Sequence, residues 1–176
     1  MGTGHLHDFT IVTPTFAKGK LVALFAATSH VVDVGGLGLS PDSRQIFHEG
    51  IQVPLMHLVE AGKVNEWLVR LICQNVREPI QVEGDLYALI ACNERGSERL
   101  IAMMDEYGLG DLDELGRHII RQSRQGMADA IAKLPQGTWK HAMRIDGFEA
   151  PIDLVASVTI DRDEITILLT VSEPEL

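Results

Sequence analysis

The sequence contains only two cysteines, Cys73 and Cys92, among its 176 residues. Both lie in apolar stretches with helical spacing, which predicts buried free thiols in a reducing compartment rather than a disulfide framework. No apolar run approaches the roughly 18 residues of a membrane span. The first residues also lack the basic and apolar regions of a secretory signal. We therefore expect a cytoplasmic protein with no membrane segment.

Basic residues are scarce too, because 15 lysines and arginines stand against 25 aspartates and glutamates, which gives a formal net charge of −10. Such a chain has no excess of positive charge to neutralise a nucleic-acid backbone, so no nucleic-acid partner is expected. The hydrophobic fraction of 45% and the charged fraction of 23% are typical of a globular protein. This balance favours a small-molecule substrate or a protein partner.

Two common catalytic signatures are missing from the sequence. It contains no Gly-x-x-x-x-Gly-Lys-Ser/Thr loop for nucleotide phosphates and no Gly-x-Ser-x-Gly nucleophile elbow. Neither cysteine has a nearby base, which argues against a thiol nucleophile. Other side chains must therefore supply any chemistry.

The predicted order of elements is strands, then helices, then strands, which is an α+β pattern. The predicted segments are strands at 9–13 and 21–27, helices beginning at Asn65, Asp85 and Asp111, and strands at 139–145, 152–160 and 164–171. The first two strands flank a turn and form an N-terminal β-hairpin. Because it is apolar on both faces, the hairpin is expected inside a sheet. Central helices and C-terminal antiparallel strands complete one fragment of a catalytic domain over residues 1–176.

Two His-x-x-Asp pairs stand at the edges of the two N-terminal strands. His5 and Asp8 precede the first strand, and His30 and Asp33 follow the second. Neighbouring strands can bring such ends together, and converging imidazole and carboxylate groups are the donors that a divalent metal needs. Positions three apart point to opposite faces of a strand, so His5 and Asp8 must lie in a turn to share an ion. His7 is expected to point away from His5.

Both pairs also have ordinary structural interpretations. His5 can be a surface histidine beside a turn-forming or N-capping Asp8, and Asp33 can be a turn residue that bonds its own backbone. In a functional site, Asp33 can instead bind the metal, orient a ligating histidine or act as a general base. The glycines Gly35 and Gly36 then let the backbone come close to a ligand.

The order of motifs along the chain resembles the hydantoinase B/oxoprolinase family. Segments 4–12 and 29–36 are similar to its Gly-x-His-x-x-Asp and His-x-x-Asp-x-Gly-Gly signatures. Segments 46–54, 71–79 and 84–93 are similar to its Glu-Gly-x-x-x-Pro, Asn-Val-Arg-x-Pro and Gly-Asp-Leu-x-Ala-Gln-x-Ala-Ala-Asn elements. The similarity covers essentially the whole chain. Because family members are large subunits, the chain resembles an internal fragment.

The resemblance implies a metal site with His5, Asp8 and His30 as ligands and with Asp33 as a further ligand or an outer partner. From its own position after the second strand, Asp33 is also the predicted catalytic residue, acting as a general base. The resemblance implies a divalent ion, and mixed histidine and aspartate donors suit zinc, manganese or iron. It also implies a hetero-oligomer in which a hydantoinase A-type subunit uses ATP. The activity would be hydrolysis of a cyclic amide, as in hydantoinases and 5-oxoprolinase, or carboxylation of a ketone, as in acetone and acetophenone carboxylases.

Departures from the family pattern leave the substrate open. His7 stands where proline is frequent, and Leu89 replaces a common glutamine. Segment 2–5 and the valine pair 31–32 look closer to the acetophenone carboxylase-like branch. None of the departures removes a presumed ligand.

Two other functions are compatible with the same sequence. The chain can be a truncated, inactive paralogue that only binds a partner, which a missing ligand set in the folded chain would favour. It can also be a small stand-alone metal-binding protein that starts at Met1, which an intact gene of this length would favour.

Overall fold

The computed structural model describes residues 4–38, 40, 42–147 and 150–172. Its strands and helices, in chain order, are β1 Asp8–Ala17, β2 Lys20–His30, α1 Ile46–Glu49, β3 Val59–Glu60, β4 Lys63–Val64, α2 Glu66–Gln74, α3 Pro79–Glu106, α4 Asp113–Ile131, β5 Gly137–Ile145, β6 Ile152–Asp161 and β7 Glu164–Val171. The α+β prediction, with its N-terminal hairpin, central helices and C-terminal antiparallel strands, is confirmed. In the part of the chain that is described, no helix is both long and apolar enough to cross a membrane.

The chain divides into two compact units, Met1–Asp111 and Leu112–Leu176. The first unit contains the hairpin, α1 to α3 and the two short strands β3 and β4. The second contains α4 and a three-stranded antiparallel sheet. That both units belong to one catalytic domain stays a prediction.

The N-terminal hairpin is longer than predicted. Its ladder runs from Asp8 opposite His30 to Ala17 opposite Lys20. The chain reverses at residues 18–19, which both have left-handed φ angles, of 50° and 79°, as tight hairpin turns require. Within the described residues β1 and β2 form a two-stranded sheet. The prediction that the hairpin lies inside a larger sheet is therefore wrong, and a helix covers it instead.

Helix α3 packs against both strands of the hairpin. The Asn93 side chain is 2% exposed and donates from Nδ2 to the Ile11 carbonyl oxygen at 2.9 Å and to Thr13 Oγ1 at 3.2 Å. Gly96 lies so close to the Phe25 ring that an added Cβ would overlap it. The helix is thus in close contact with the middle of the hairpin.

The core of the first unit lies beside the end of the hairpin. Its buried members come from the loop after β2, from α2 and from α3, and they are Val31, Val34, Leu68, Ile72, Val82 and Leu86. Leu6, Phe9 and Ile51 pack against this cluster. Because Val31 directly follows β2, burial of the core fixes the chain on both sides of the predicted site.

Two helix boundaries follow familiar capping rules. Asn65 accepts a hydrogen bond from the Leu68 backbone N–H at 3.1 Å, which confirms the predicted N-cap of α2. Gly108, with a φ of 63°, ends α3 as predicted. The start of α3 at Asp85 is wrong, however, because the helix begins at Pro79. Proline suits the first turn of a helix, because the N–H groups there make no hydrogen bond within the helix.

In the second unit, the strands pair antiparallel in the order β5-β6-β7, and a tight turn at residues 162–163 joins β6 to β7. Helix α4 begins at Asp113 rather than Asp111. None of its described residues is buried. The helical spacing of Leu115, Ile120 and Met127 predicts one apolar side that lies inside, and this prediction is wrong, since all three side chains are exposed.

The two cysteines are free thiols, as predicted, but they differ in burial. Cys73 is half-buried, whereas Cys92 is exposed, so the prediction of two buried thiols is wrong for Cys92. Burial, followed by the negative charge of Glu83, raises the pKa of the Cys73 thiol. A raised pKa disfavours the reactive thiolate.

Candidate metal centre

The hairpin register brings three predicted site residues together. Asp8 begins β1 and lies opposite His30, which ends β2. The preceding residues form a turn rather than a strand, as the sequence required, and this turn returns His5 to the same place. His5, Asp8 and His30 each offer a ligand atom, and these atoms lie within 4.8 Å of one another.

The three side chains have the chemistry and exposure of a metal site. The Asp8 carboxylate approaches both imidazoles, with Oδ2 at 3.6 Å from His5 Nε2 and Oδ1 at 3.2 Å from His30 Nδ1. Two imidazole nitrogens and one carboxylate oxygen suit a divalent transition metal and leave positions for water or substrate. The side chains are 32%, 22% and 51% exposed, in chain order, so a small molecule can reach them. The residues therefore fit a divalent ion.

His7 is also part of this cluster, and the prediction that it points away from His5 is wrong. Its ring centroid lies 5.9 Å from that of His5, and it stacks on His30 at 5.2 Å with an interplanar angle of 13°. Strand alternation fails here because residues 4–7 form a turn. His7 is 3% exposed, and among the described residues its Nδ1 has no hydrogen-bond partner.

The environment of His7 favours its neutral form. Burial lowers the pKa of His7 most, and positive charge on His30 and His5 would lower it further. A neutral ring can pack against a ligating histidine without repelling a bound cation. His7 thus forms one wall of the site next to His30.

Asp33, predicted as a catalytic residue, lies outside the three-donor group. Its Oδ1 accepts hydrogen bonds from Gly35 N at 3.0 Å and from Arg77 Nη1 at 2.7 Å, and its Oδ2 accepts one from the Arg77 backbone N–H. The bond to Gly35 is the turn interaction that the sequence left open as an alternative.

The charge state of Asp33 follows from these bonds. Burial raises its pKa, but the hydrogen bonds from Arg77 and Gly35 and the charge of Arg77 lower the pKa more, so the net value lies below the usual one. A carboxylate with a lowered pKa and occupied oxygens is a weak base. The geometry favours a role in holding the loop, and a catalytic role stays a prediction.

The loop after β2 is joined to the segment around α1. Leu37 N donates to the His48 carbonyl oxygen at 2.8 Å, and Ile51 N donates to the Val34 carbonyl oxygen at 2.7 Å. Gly36, with a φ of 58°, lies between these bonds, and an added Cβ would overlap the His48 carbonyl oxygen. The close approach of the two segments therefore requires glycine at position 36.

Glu49 joins the segment around α1 to the turn that carries His5. Its Oε2 accepts a hydrogen bond from the backbone N–H of Leu6 at 2.9 Å, between His5 and His7. Neither Glu49 nor Arg77 was predicted as a site residue. The sequence signal that could have indicated these two residues is their position in segments 46–54 and 71–79, which resemble two motifs of the family.

Two cavities in the first unit adjoin the cluster. One, of about 270 Å³, is lined by His7, His30, Asp33 and Arg77, among others. The other, of about 420 Å³, has Asp8 in its wall and is otherwise mostly apolar. His30 therefore lines one cavity and Asp8 lines the other.

The protein therefore has an α+β fold, and its N-terminal hairpin brings two histidines and an aspartate together as a candidate metal centre. The chain belongs to the hydantoinase B/oxoprolinase family, because the sequence profile of that family matches residues 1–176. The resemblance seen in the ordered motifs is therefore confirmed.

Relatives in this family include proteins with different activities in their names. A Pseudomonas protein (strain NS671), named as the B-type subunit of a D-/L-hydantoinase, is 29% identical over 186 residues, which cover 99% of this chain and 31% of that protein. The acetophenone carboxylase delta subunit of Aromatoleum aromaticum is 26% identical over 178 residues, which cover 98% of this chain and 26% of that subunit. The present chain thus spans less than a third of these relatives.

A solved structure also matches the fold. The crystal structure of the ATP-dependent caprolactamase from Pseudomonas jessenii superposes with a TM-score of 0.84 at 26% identity, over 94% of this chain and 30% of that one. The chain therefore has the same fold as about a third of the caprolactamase chain.

Proposed function

We propose that this chain is the metal-bearing part of a B-type subunit in an ATP-dependent enzyme that hydrolyses a cyclic amide. The observation that carries the proposal is the convergence of His5, Asp8 and His30 within 4.8 Å at the end of the hairpin. A complete three-donor set supports an enzyme subunit over an inactive, partner-binding paralogue.

The names of the relatives favour cyclic-amide hydrolysis over ketone carboxylation. The names of a hydantoinase subunit, a caprolactamase and 5-oxoprolinases occur among them. The structure most relevant to the substrate is the caprolactamase, at 26% identity. Ketone carboxylation is the second candidate, favoured by the 26% identity to an acetophenone carboxylase subunit. A requirement for bicarbonate would distinguish carboxylation from hydrolysis.

Each residue of the proposed site would have a separate role. His5, Asp8 and His30 would hold the ion, which as zinc, manganese or iron would supply Lewis-acid polarisation of a carbonyl group or activation of a water. His7 would keep the His30 ring in place by stacking, and Asp33 would hold the loop after β2. A separate hydantoinase A-type subunit would use ATP, so the working enzyme would be a hetero-oligomer. A cytoplasmic location stays a prediction from the cysteine usage.

The proposal is tested by the metal content of the purified chain. We expect about one divalent ion per chain in the wild type and well under a tenth of that in His30→Ala, because loss of one of three protein ligands leaves too few donors. His141→Ala is the matched control, since His141 is an exposed histidine on β5 in the other unit. Elemental analysis after dialysis gives both the stoichiometry and the metal.

Three results would contradict the proposal. One is a wild-type chain that holds no ion after incubation with zinc, manganese and iron salts. Another is a His30→Ala variant that retains the full content. The third is a His141→Ala variant that loses the ion as readily as His30→Ala.

A further inference from the structure

We infer that Glu49 is a positioning residue that joins the two ligand-bearing ends of the hairpin into one preformed site. The inference rests on the proposed metal site and deepens it. It concerns how His5 is held in place, since His5 is the ligand that precedes the strands.

The first step is the attachment of Glu49 to the second ligand's side of the site. Residues 48 and 51 are hydrogen-bonded to residues 37 and 34, at 2.8 and 2.7 Å. Those partners belong to the loop that directly follows His30. The backbone on either side of Glu49 is therefore fixed relative to the end of β2.

The second step is the attachment of the Glu49 side chain to the first ligand pair. Its carboxylate accepts the Leu6 N–H at 2.9 Å across 43 residues of sequence. The turn that contains Leu6 has a second anchor, because Val31 N donates to the His7 carbonyl oxygen at 2.9 Å. That backbone bond fixes the end of the turn near Asp8, and the Glu49 bond fixes the part next to His5.

The third step is the consequence of losing one anchor. Without the carboxylate, the turn would lose its hydrogen bond at Leu6, and His5 would sample positions away from Asp8 more often. An ion would then have to order the turn as it binds, which lowers its affinity. Outer partners of metal ligands typically account for about 10- to 100-fold in metal affinity. Glu49 lies outside the three-donor group, so this effect would act through the turn.

The test compares Glu49→Ala, Glu49→Gln and the control Glu98→Ala, whose carboxylate forms an exposed ion pair with Arg95. Titration calorimetry with Co²⁺ measures affinity, and the visible absorption of bound Co²⁺ reports its geometry. We expect about a 10- to 100-fold weaker affinity and an altered spectrum for Glu49→Ala. Glu49→Gln should remain close to wild type, because its amide oxygen can accept the same hydrogen bond.

A second measurement does not depend on metal binding. In the metal-free wild type, amide hydrogen exchange followed by NMR should show Leu6 protected, and Glu49→Ala should remove that protection. An unprotected wild-type Leu6, an unchanged Co²⁺ affinity in Glu49→Ala, or a Gln variant as weak as the Ala variant would each overturn the inference. A wild type that binds no Co²⁺ would overturn the proposed function as well, which separates the two failures.

Discussion

Asp8 and His30 show how one position in a β-ladder determines a site. They are the last cross-strand pair of the hairpin, and their side chains meet at 3.2 Å. A register slip of one residue would turn one of the two side chains to the other face of the sheet. The tight turn at residues 18–19 and the register shift between Thr15 and Phe16 together set the pairing of Asp8 with His30.

Asp33 provides a test of the loop that follows His30. We expect Asp33→Asn to lower the free energy of unfolding of the metal-free protein by about 1–3 kcal/mol at pH 7, since it weakens charge-assisted hydrogen bonds. The lower part of this range is favoured because Arg77 is 61% exposed. The folded pKa of Asp33 is lowered, so its contribution is complete above its unfolded pKa of about 4 and is lost as the pH falls through the folded value.

Urea denaturation of both proteins at pH 7, 5 and 3 would measure this difference. The gap between wild type and Asp33→Asn should be constant at pH 7 and 5 and narrow at pH 3. Glu60→Gln, an exposed carboxylate-to-amide change in the same unit, should have little effect at any pH. A gap of the same size at pH 3 would mean that shape, rather than charge, is what Asp33 contributes.

Single residues also show where sequence reasoning reaches its limit. The group of His5, Asp8 and His30 could be predicted, because a hairpin brings its two ends together and both ends carry recognisable donors. The contacts of Glu49 with Leu6 and of Arg77 with Asp33 could not, because they span 43 and 44 residues without any local pattern. Only packing of the core specifies such contacts.

At the scale of elements, capping rules predicted more than periodicity did. Asn65 and Gly108 mark the start of α2 and the end of α3 correctly. The first strand was predicted to end before Pro14, yet β1 continues to Ala17. A two-stranded ribbon has an unpaired outer edge on each strand, so a residue without an N–H is tolerated there. The prediction that Pro14 ends the first strand is therefore wrong.

The cap of α2 gives a second stability prediction. Asn65→Ala should destabilise the protein by about 1 kcal/mol, because Leu68 N–H loses its side-chain acceptor at the helix start. Asn65→Asp should be close to neutral, since its carboxylate can accept the same bond and favours the positive end of the helix. Denaturant unfolding of the three proteins checks both values. Equal stability of Asn65→Ala and wild type would show that the cap contributes nothing.

At the scale of the whole molecule, exposed apolar surface is unevenly distributed. In the second unit, α4 and β7 expose large apolar side chains, among them Leu115, Ile120, Met127, Ile167 and Leu169. Helical spacing places the α4 residues on one side of the helix, but periodicity does not say what covers that side. The chain spans only 31% of the hydantoinase subunit it matches.

The division into two units predicts that the metal site needs only the first. The proposed ligands His5, Asp8 and His30 lie within Met1–Asp111, as do Glu49 and the residues it joins. A chain of residues 1–111 should therefore bind Co²⁺ with an affinity within about twofold of the 176-residue chain, because every residue that forms the proposed site lies in it.

Calorimetry on both chains, with circular dichroism to confirm that the shorter one is folded, measures the comparison. His30→Ala in the shorter chain is the control and should abolish binding. A folded shorter chain with much weaker binding would show that the second unit supports the site. Equal binding would place the whole determinant of the metal centre in the hairpin, the loop after it and the segment that carries Glu49.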